Sequence, residues 1–200
     1  MTAPWQPLLD EWFGDYPTGA QTAAARGGLW FGKRDSQDIE ARERFGAQVE
    51  QALAGGLTEW AQCPEGWLAL VLLLDQLPRM IFRGTPKAFS GDSRAQTLVA
   101  QGIAADFDRQ LPPIRRTFIY LVFEHCEHLS VQNEAVSRFA ALLAEQPEPE
   151  RAIFADQLDY AERHRQVIAR FGRFPHRNAI LGRESSAEER AFLREPGSAF

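Results

Sequence analysis

The densest group of titratable side chains in this 200-residue chain is Glu124, His125, Glu127 and His128. If the helix that holds Phe118 to Phe123 continues through them, Glu124 and His128 share a face at i,i+4, Glu127 lies alongside, and His125 stacks with His128 at i,i+3. Carboxylate beside imidazole suits acid/base chemistry, and the same groups are the right donors for a divalent metal. The spacing fits neither H-E-x-x-H nor the Glu-x-x-His pairs of di-iron bundles. One helix cannot close a coordination sphere, so a metal here needs a distant ligand such as His164 or His176. A hydrogen-bonded structural cluster is the simpler expectation, and no metal or cofactor is expected.

A second group is cationic. Arg170, Arg173, His176 and Arg177 surround Phe171, Phe174 and Pro175, with Asn178 and Arg183 close behind. Gly172 permits a sharp helix end and Pro175 suits the opening of the next short helix. Arginine offers planar bidentate donors, so a loop of this kind can hold a phosphate or carboxylate. The competing reading is that these arginines neutralise Asp75, Glu124 and Glu127 inside the fold. Asp75 follows the apolar run Trp67 to Leu74 and is expected to be buried, which requires a partner. Arg79, one helical turn on, or an arginine of segment 163–183 can serve, although Pro78 disturbs the intervening turn. Arg83, one turn beyond Arg79, joins the candidate ligand-binding set with Asp75, Arg79, Arg170, Arg173, His176, Arg177 and Asn178.

Nucleophilic chemistry is less supported. Cys126 sits between His125 and Glu127, but neighbours along a helix point in different directions, and a small buried thiol is the simpler reading. The chain has no Gly-x-Ser-x-Gly elbow, P-loop or Gly-x-Gly-x-x-Gly fingerprint.

The charge distribution points to the same places. The formal net charge is -5, and 20 of the 22 basic residues are arginine. Residues 1–162 sum to -9, residues 163–183 carry six arginines and no acid, and residues 184–200 sum to -2. A basic patch confined to one short segment of an acidic chain falls short of a nucleic-acid footprint. The longest apolar run, eight residues from Trp67 to Leu74, is far below the roughly 20 that span a bilayer. Two cysteines, Cys63 and Cys126, exclude a disulfide framework. Asp10, Glu11 and Asp15 stand where a secretory signal would place apolar residues. A cytoplasmic location is expected, with neither membrane nor nucleic acid as partner.

The elements that must position these residues read as helices throughout, with no period-2 strand and no Asn-Gly or Asp-Gly hairpin turn. Asp35 or Ser36 caps a helix to about Leu53 with Ile39, Phe45, Val49 and Leu53 on or near one face, and Gly55-Gly56 ends it. Pro64 opens the helix of the apolar run; Asp92 caps one from Ser93 to Ala105; Pro112-Pro113 opens another. A helix from Val131 to about Glu145 presents Val136, Phe139, Leu142 and Leu143. Pro147 and Pro149 interrupt the pattern before a long helix from Glu150 to Phe171. Ser185 with Glu188 is a capping-box pattern. Connections are short, so residues 1–200 are expected to form one all-helical domain. Val71 to Gln76 and Leu121 to His125 both run apolar and then abruptly polar, 49 residues apart, a loose hint of a helical repeat.

Three stretches carry a resemblance. Leu72 to Gly84 reads L-L-L-D-Q-L-P-R-M-I-F-R-G, Phe118 to Leu129 reads F-I-Y-L-V-F-E-H-C-E-H-L, and Arg170 to Arg183 reads R-F-G-R-F-P-H-R-N-A-I-L-G-R. With Trp30-Phe31-Gly32 they resemble the bacterial family called domain of unknown function 924, from about Leu8 to the C-terminus. The resemblance implies an all-helical fold similar to tetratricopeptide-like proteins, either stacked hairpins in a right-handed superhelix or a compact helical array. It implies no reaction. Met80 departs from the asparagine, and Val122 from the proline, that the family carries there. Two functions stay open: a binding protein that takes a small anionic ligand or an acidic protein partner through the arginine-rich segment, and an acid/base or metal-assisted hydrolase built on Glu124, His125, Glu127 and His128.

Overall fold

A computed structural model describes residues 2–198, and the described residues contain helices and turns but no strand. Nine α-helices follow one another among them: α1 (Gln6–Phe13), α2 (Gly19–Trp30), α3 (Asp35–Leu53), α4 (Pro64–Ile81), α5 (Asp92–Ala104), α6 (Pro113–Glu124), α7 (Leu129–Ala144), α8 (Glu148–Phe171) and α9 (Ala187–Phe192). Short 3-10 turns occupy Thr58–Gln62, Pro86–Phe89, Asp108–Gln110 and Pro175–Arg177.

A helix that is apolar on every side must be enclosed by its neighbours. That helix is α4, in which Leu68 to Leu74 have no exposed surface, and α1, α3, α5 and α6 pack around it. Its first residue, Pro64, gives up an N–H that a helix start would leave unused anyway. The α6 helix brings Phe118 edge-on against Trp12, Phe13 and Trp30, at centroid separations of 5.6, 5.4 and 4.8 Å. Those contacts tie α1 and α2 to the core. The α7 helix packs on both α6 and α8. No helix among the described residues is long and apolar enough to cross a membrane.

Two backbone details set the candidate site. Pro78 has no N–H to give the Leu74 carbonyl four residues back. The helix continues regardless to Ile81, and Gly91 comes against that carbonyl so closely that a Cβ would lie 2.1 Å from the oxygen. Only glycine permits α5 to begin there. At the end of α8, Gly172 adopts φ 70° and its N–H caps Ile168, the left-handed stop that glycine favours.

The structure corrects several expectations. In α3 the buried residues are Ala41, Phe45, Val49 and Ala52, while Ile39 is 58% exposed, because two residues before Ala41 is nearly the opposite side of a helix. Arg34 and Gly91 hold the N-cap positions of α3 and α5, without a side-chain bond. Both prolines lie at the start of α8, Pro147 as N-cap and Pro149 in the first turn, so they open the helix rather than delay it. The capping box is Ser186 with Glu189, one residue beyond the expected pair: Ser186 Oγ accepts from Glu189 N at 3.1 Å and Glu189 Oε2 accepts from Ser186 N at 2.7 Å. Helix α6 ends at Glu124, so His125 to His128 lie in a turn and at the start of α7.

Candidate functional site

Four pieces of chain meet at the C-terminal end of α4: the turn after α6, the start of α5, the 3-10 turn before it, and the 3-10 turn Pro175–Arg177. At the centre is Asp75, with no exposed surface. Its carboxylate accepts from Arg79 Nη2 at 2.9 Å, from Gln76 Nε2 at 2.7 Å, and from His125 Nδ1 at 2.8 and 3.0 Å. The same Arg79 nitrogen lies 3.0 Å from Asp92, whose other oxygen is 3.6 Å from Arg177. His125, Asp75, Arg79, Asp92 and Arg177 thus form a continuous chain of partners. The apolar-then-polar ends of α4 and α6, 49 residues apart in sequence, are brought together in it.

The electrostatics follow from burial. Desolvation pushes the Asp75 carboxyl upward, but Arg79 and His125 outweigh it and hold the group well below the usual carboxylate range. Desolvation, with Arg79 nearby, pushes His125 down, so the imidazole is neutral at pH 7. A carboxylate only accepts, so Nδ1 carries the hydrogen and Nε2 is left as a base. Arg177 lies between two rings, its guanidinium 4.8 Å from the Phe89 centroid and 4.6 Å from that of Phe174. Burial, and then Arg79, push it down to about 10. The Nε atoms of Arg79 and Arg177 are both buried without a hydrogen-bond partner.

The four residues of the acidic and imidazole cluster are dispersed. Buried Glu124 lies 3.0 Å from His164 Nδ1 of α8, which also meets the Tyr160 carbonyl at 2.9 Å. His125 serves Asp75. Glu127 accepts from Arg183 at 2.5 and 2.9 Å and from the Phe174 N–H at 2.8 Å; desolvation raises its carboxyl, and Arg183 more than offsets this. His128 is exposed at the N-cap of α7, with Nδ1 2.9 Å from Ser130 Oγ. Among the described residues no three His, Cys, Asp or Glu side chains are grouped to hold a metal ion. Cys126 is buried 3.5 Å from Gln96 Oε1, and burial pushes its thiol up.

Of the expected ligand-binding residues, Asp75, Arg79 and Arg177 are brought together, and His176 joins the same 3-10 turn as Arg177. Burial pushes His176 down to about 3, assisted by Arg177, His164 and Lys33. Buried Asn178 links the segment internally, accepting from Arg183 Nε and donating to Ser185 Oγ, both at 3.0 Å. The rest stand apart. Arg83 grips Asp38 of α3 in a bidentate pair at 2.6 and 2.7 Å. Arg170 meets Glu188 at 2.9 Å and Arg173 meets Glu189 at 2.6 Å; Arg173 pulls the Glu189 carboxyl down to about 2.

Sequence reasoning missed Asp92 and Phe89 as site residues, and it missed Gln132. The buried Gln132 amide donates to the carbonyls of Glu124 at 2.6 Å, Cys126 at 2.7 Å and Phe123 at 3.4 Å. One side chain on α7 thereby satisfies the carbonyls at the end of α6 and fixes the turn that carries His125. Two surface clefts, of about 90 and 260 Å³, are lined by other residues than Asp75, Arg79, His125 and Arg177.

No curated protein matches the chain. A solved structure of a protein of unknown function from Agrobacterium tumefaciens is similar, with a TM-score of 0.74 and 34% identity, over 88% of this chain and 99% of that one. Residues 8–197 match the family described as bacterial protein of unknown function, DUF924. A match over nearly the whole length, with the three motifs that surround Asp75 inside it, means that this chain belongs to the DUF924 family.

Proposed function

We propose that the protein is a one-domain cytoplasmic helical binding protein, built of stacked hairpins similar to tetratricopeptide-like scaffolds, that takes a small anionic ligand at Arg177. The carrying observation is the state of that guanidinium: buried, flattened between Phe89 and Phe174, with an unpartnered Nε and an acid no nearer than 3.6 Å. A buried cation that is incompletely compensated gains from an added anion, and the exposed edges of His125 and Arg79 give the anion further donors or acceptors. Calorimetric titration with succinate and with inorganic phosphate tests this at low and high salt. Binding that weakens at least about ten-fold in Arg177→Met and is unaffected in Arg170→Gln is the expected result; identical isotherms for the two variants overturn it.

One observation favours a second reading, acid/base hydrolysis. The Asp75 to His125 pair has the polarity of a general-base dyad, with Nδ1 held by a carboxylate and Nε2 left to take a proton from water. Hydrolysis of p-nitrophenyl succinate that depends on His125 and disappears in His125→Gln is the outcome that selects it over binding alone.

A further inference from the structure

A second cation, far from that network in its chemistry, stands at the edge of the 260 Å³ cleft between the turn Thr58–Gln62, α4 and α5. Ala61, Leu98 and the fully buried Leu70 make up the apolar lining of the cleft, and Thr58, Arg94, Thr97 and Gln101 its polar lining. Arg94 sits in the first turn of α5. It caps the end of α3, donating through Nη2 to the Gly56 carbonyl at 2.8 Å and through Nη1 to the carbonyl of Ala52. Those bonds use two of the five N–H groups of a guanidinium and leave three. Burial alone pushes this arginine below its ordinary value, with no acid near enough to restore it. Arg79, held between Asp75 and Asp92, shows the opposite balance.

The lining narrows the ligand class. A single guanidinium suits a planar monoanion, which it can bind through two parallel N–H bonds, better than a dianionic phosphate. The aliphatic side chains of Ala61 and Leu98 in the lining call for an apolar tail. A volume just under the range of about 300–1,000 Å³ typical of drug-sized ligands limits that tail to a few carbons or one ring. We propose that this cleft binds a short amphiphilic carboxylic acid, with the carboxylate on Arg94 and the alkyl or aryl group against Ala61 and Leu98. The site is separate from Arg177 and stands or falls independently of it.

Ligand-observed NMR and calorimetry with hexanoate, hexan-1-ol and hexylamine test the assignment on the full chain. Hexanoate is expected to bind at least about ten-fold more tightly than the alcohol or the amine. Arg94→Gln reduces hexanoate to the level of hexan-1-ol. Because Arg94 also holds the end of α3, that variant is paired with Thr97→Phe, which leaves Arg94 in place and fills the mouth of the cleft from an exposed position of α5. Loss of hexanoate binding in Thr97→Phe, with an unchanged melting temperature, supports the cleft as the site. Equal affinity for acid and alcohol, wild-type binding by Thr97→Phe, or no binding of hexanoate at about 10 mM overturns the proposal.

Discussion

Segment 163–183 supplies two kinds of ion pair. Its Arg177 enters the buried chain His125, Asp75, Arg79, Asp92, while Arg170, only seven residues earlier, pairs with Glu188 where the two side chains are 48% and 62% exposed. In sequence both look like members of one cationic patch. In the fold they differ by solvent. An exposed pair gains little over hydration and is screened by salt. A buried pair has lost its hydration, so each member depends on the other, and removal of one leaves the other uncompensated. Charge density along the chain therefore does not rank these arginines; burial does.

The largest effect is expected at Asp75. Asp75→Asn keeps the shape, yet it removes the negative charge between Arg79 and His125 and presents an amide donor to groups that are themselves donors. A cost of about 3–5 kcal/mol in urea unfolding is expected. A variant that unfolds at the wild-type midpoint would place the inner chain in the same class as the surface pairs.

Acid should attack the inner region first. His125 and His176 both have folded values below the ordinary 6.5, and His176 is pushed down to about 3 by burial and by Arg177, His164 and Lys33. A depressed value means that the unfolded chain binds the proton more readily, so stability rises with pH across the interval. The contribution is complete above about 6.5 and is lost as pH falls from there toward 3. Asp75, also depressed, adds a further loss below its ordinary value of 3.8. Urea midpoints measured from pH 7.5 down to about 4.5 should fall steadily, and His176→Gln should flatten the slope. A midpoint independent of pH in that interval would mean that these imidazoles are not held neutral.

What the sequence disclosed depended on range. The pairing of Asp75 with Arg79 was readable because an i,i+4 spacing directly after an apolar run is local geometry. The helices α3 to α8 were readable for the same reason, through their apolar period and their flanking Pro and Gly. Helix α1 carries its own signal in Leu8, Leu9, Trp12 and Phe13, but at eight residues between prolines it is short. Helix α2 is mostly Ala and Gly, with a face too weak to stand out. Contacts across the fold were not readable: His125 on Asp75, 50 residues away, and Asp92 beside Arg177. Nor was the end of α6, because nothing between Glu124 and His128 breaks a helix. Gln132, on the next helix, takes up the carbonyls that the break exposes. The choice between Ser185 with Glu188 and Ser186 with Glu189 shows the limit most plainly. Both registers have equal local chemistry; in the fold Glu189 closes the box with Ser186 while it pairs with Arg173, and Glu188 pairs with Arg170 instead.

A smaller effect is expected at the far end of the inner chain. Arg177→Met removes a cation whose value burial already depresses to about 10, and it keeps a long apolar stem between Phe89 and Phe174. Asp92 is not orphaned, because Arg79 remains 3.0 Å away. Exchange of an imperfectly paired buried charge for a hydrophobic residue is often near neutral. A loss of about 1–2 kcal/mol, well short of the Asp75→Asn cost, is expected from urea unfolding. A loss as large as that of Asp75→Asn would show Arg177 to be a full structural partner, and would weaken the case that its unspent hydrogen-bonding capacity is reserved for a ligand.

The smallest effect should come from Arg170→Gln, and its size sharpens the contrast. The ion pair with Glu188 is exposed on both sides and is expected to contribute below about 1 kcal/mol. The guanidinium also lies 4.7 Å from the Phe171 centroid and 5.8 Å from that of Phe192, and these rings are packed together at 5.1 Å. Part of whatever Arg170 contributes is therefore cation-π contact and shielding of an apolar pair, which salt does not screen as it does an exposed ion pair. The two parts separate experimentally. If the ion pair dominates, the cost of Arg170→Gln disappears in high salt; if the ring contact dominates, it persists, and Glu188→Gln costs nothing under either condition.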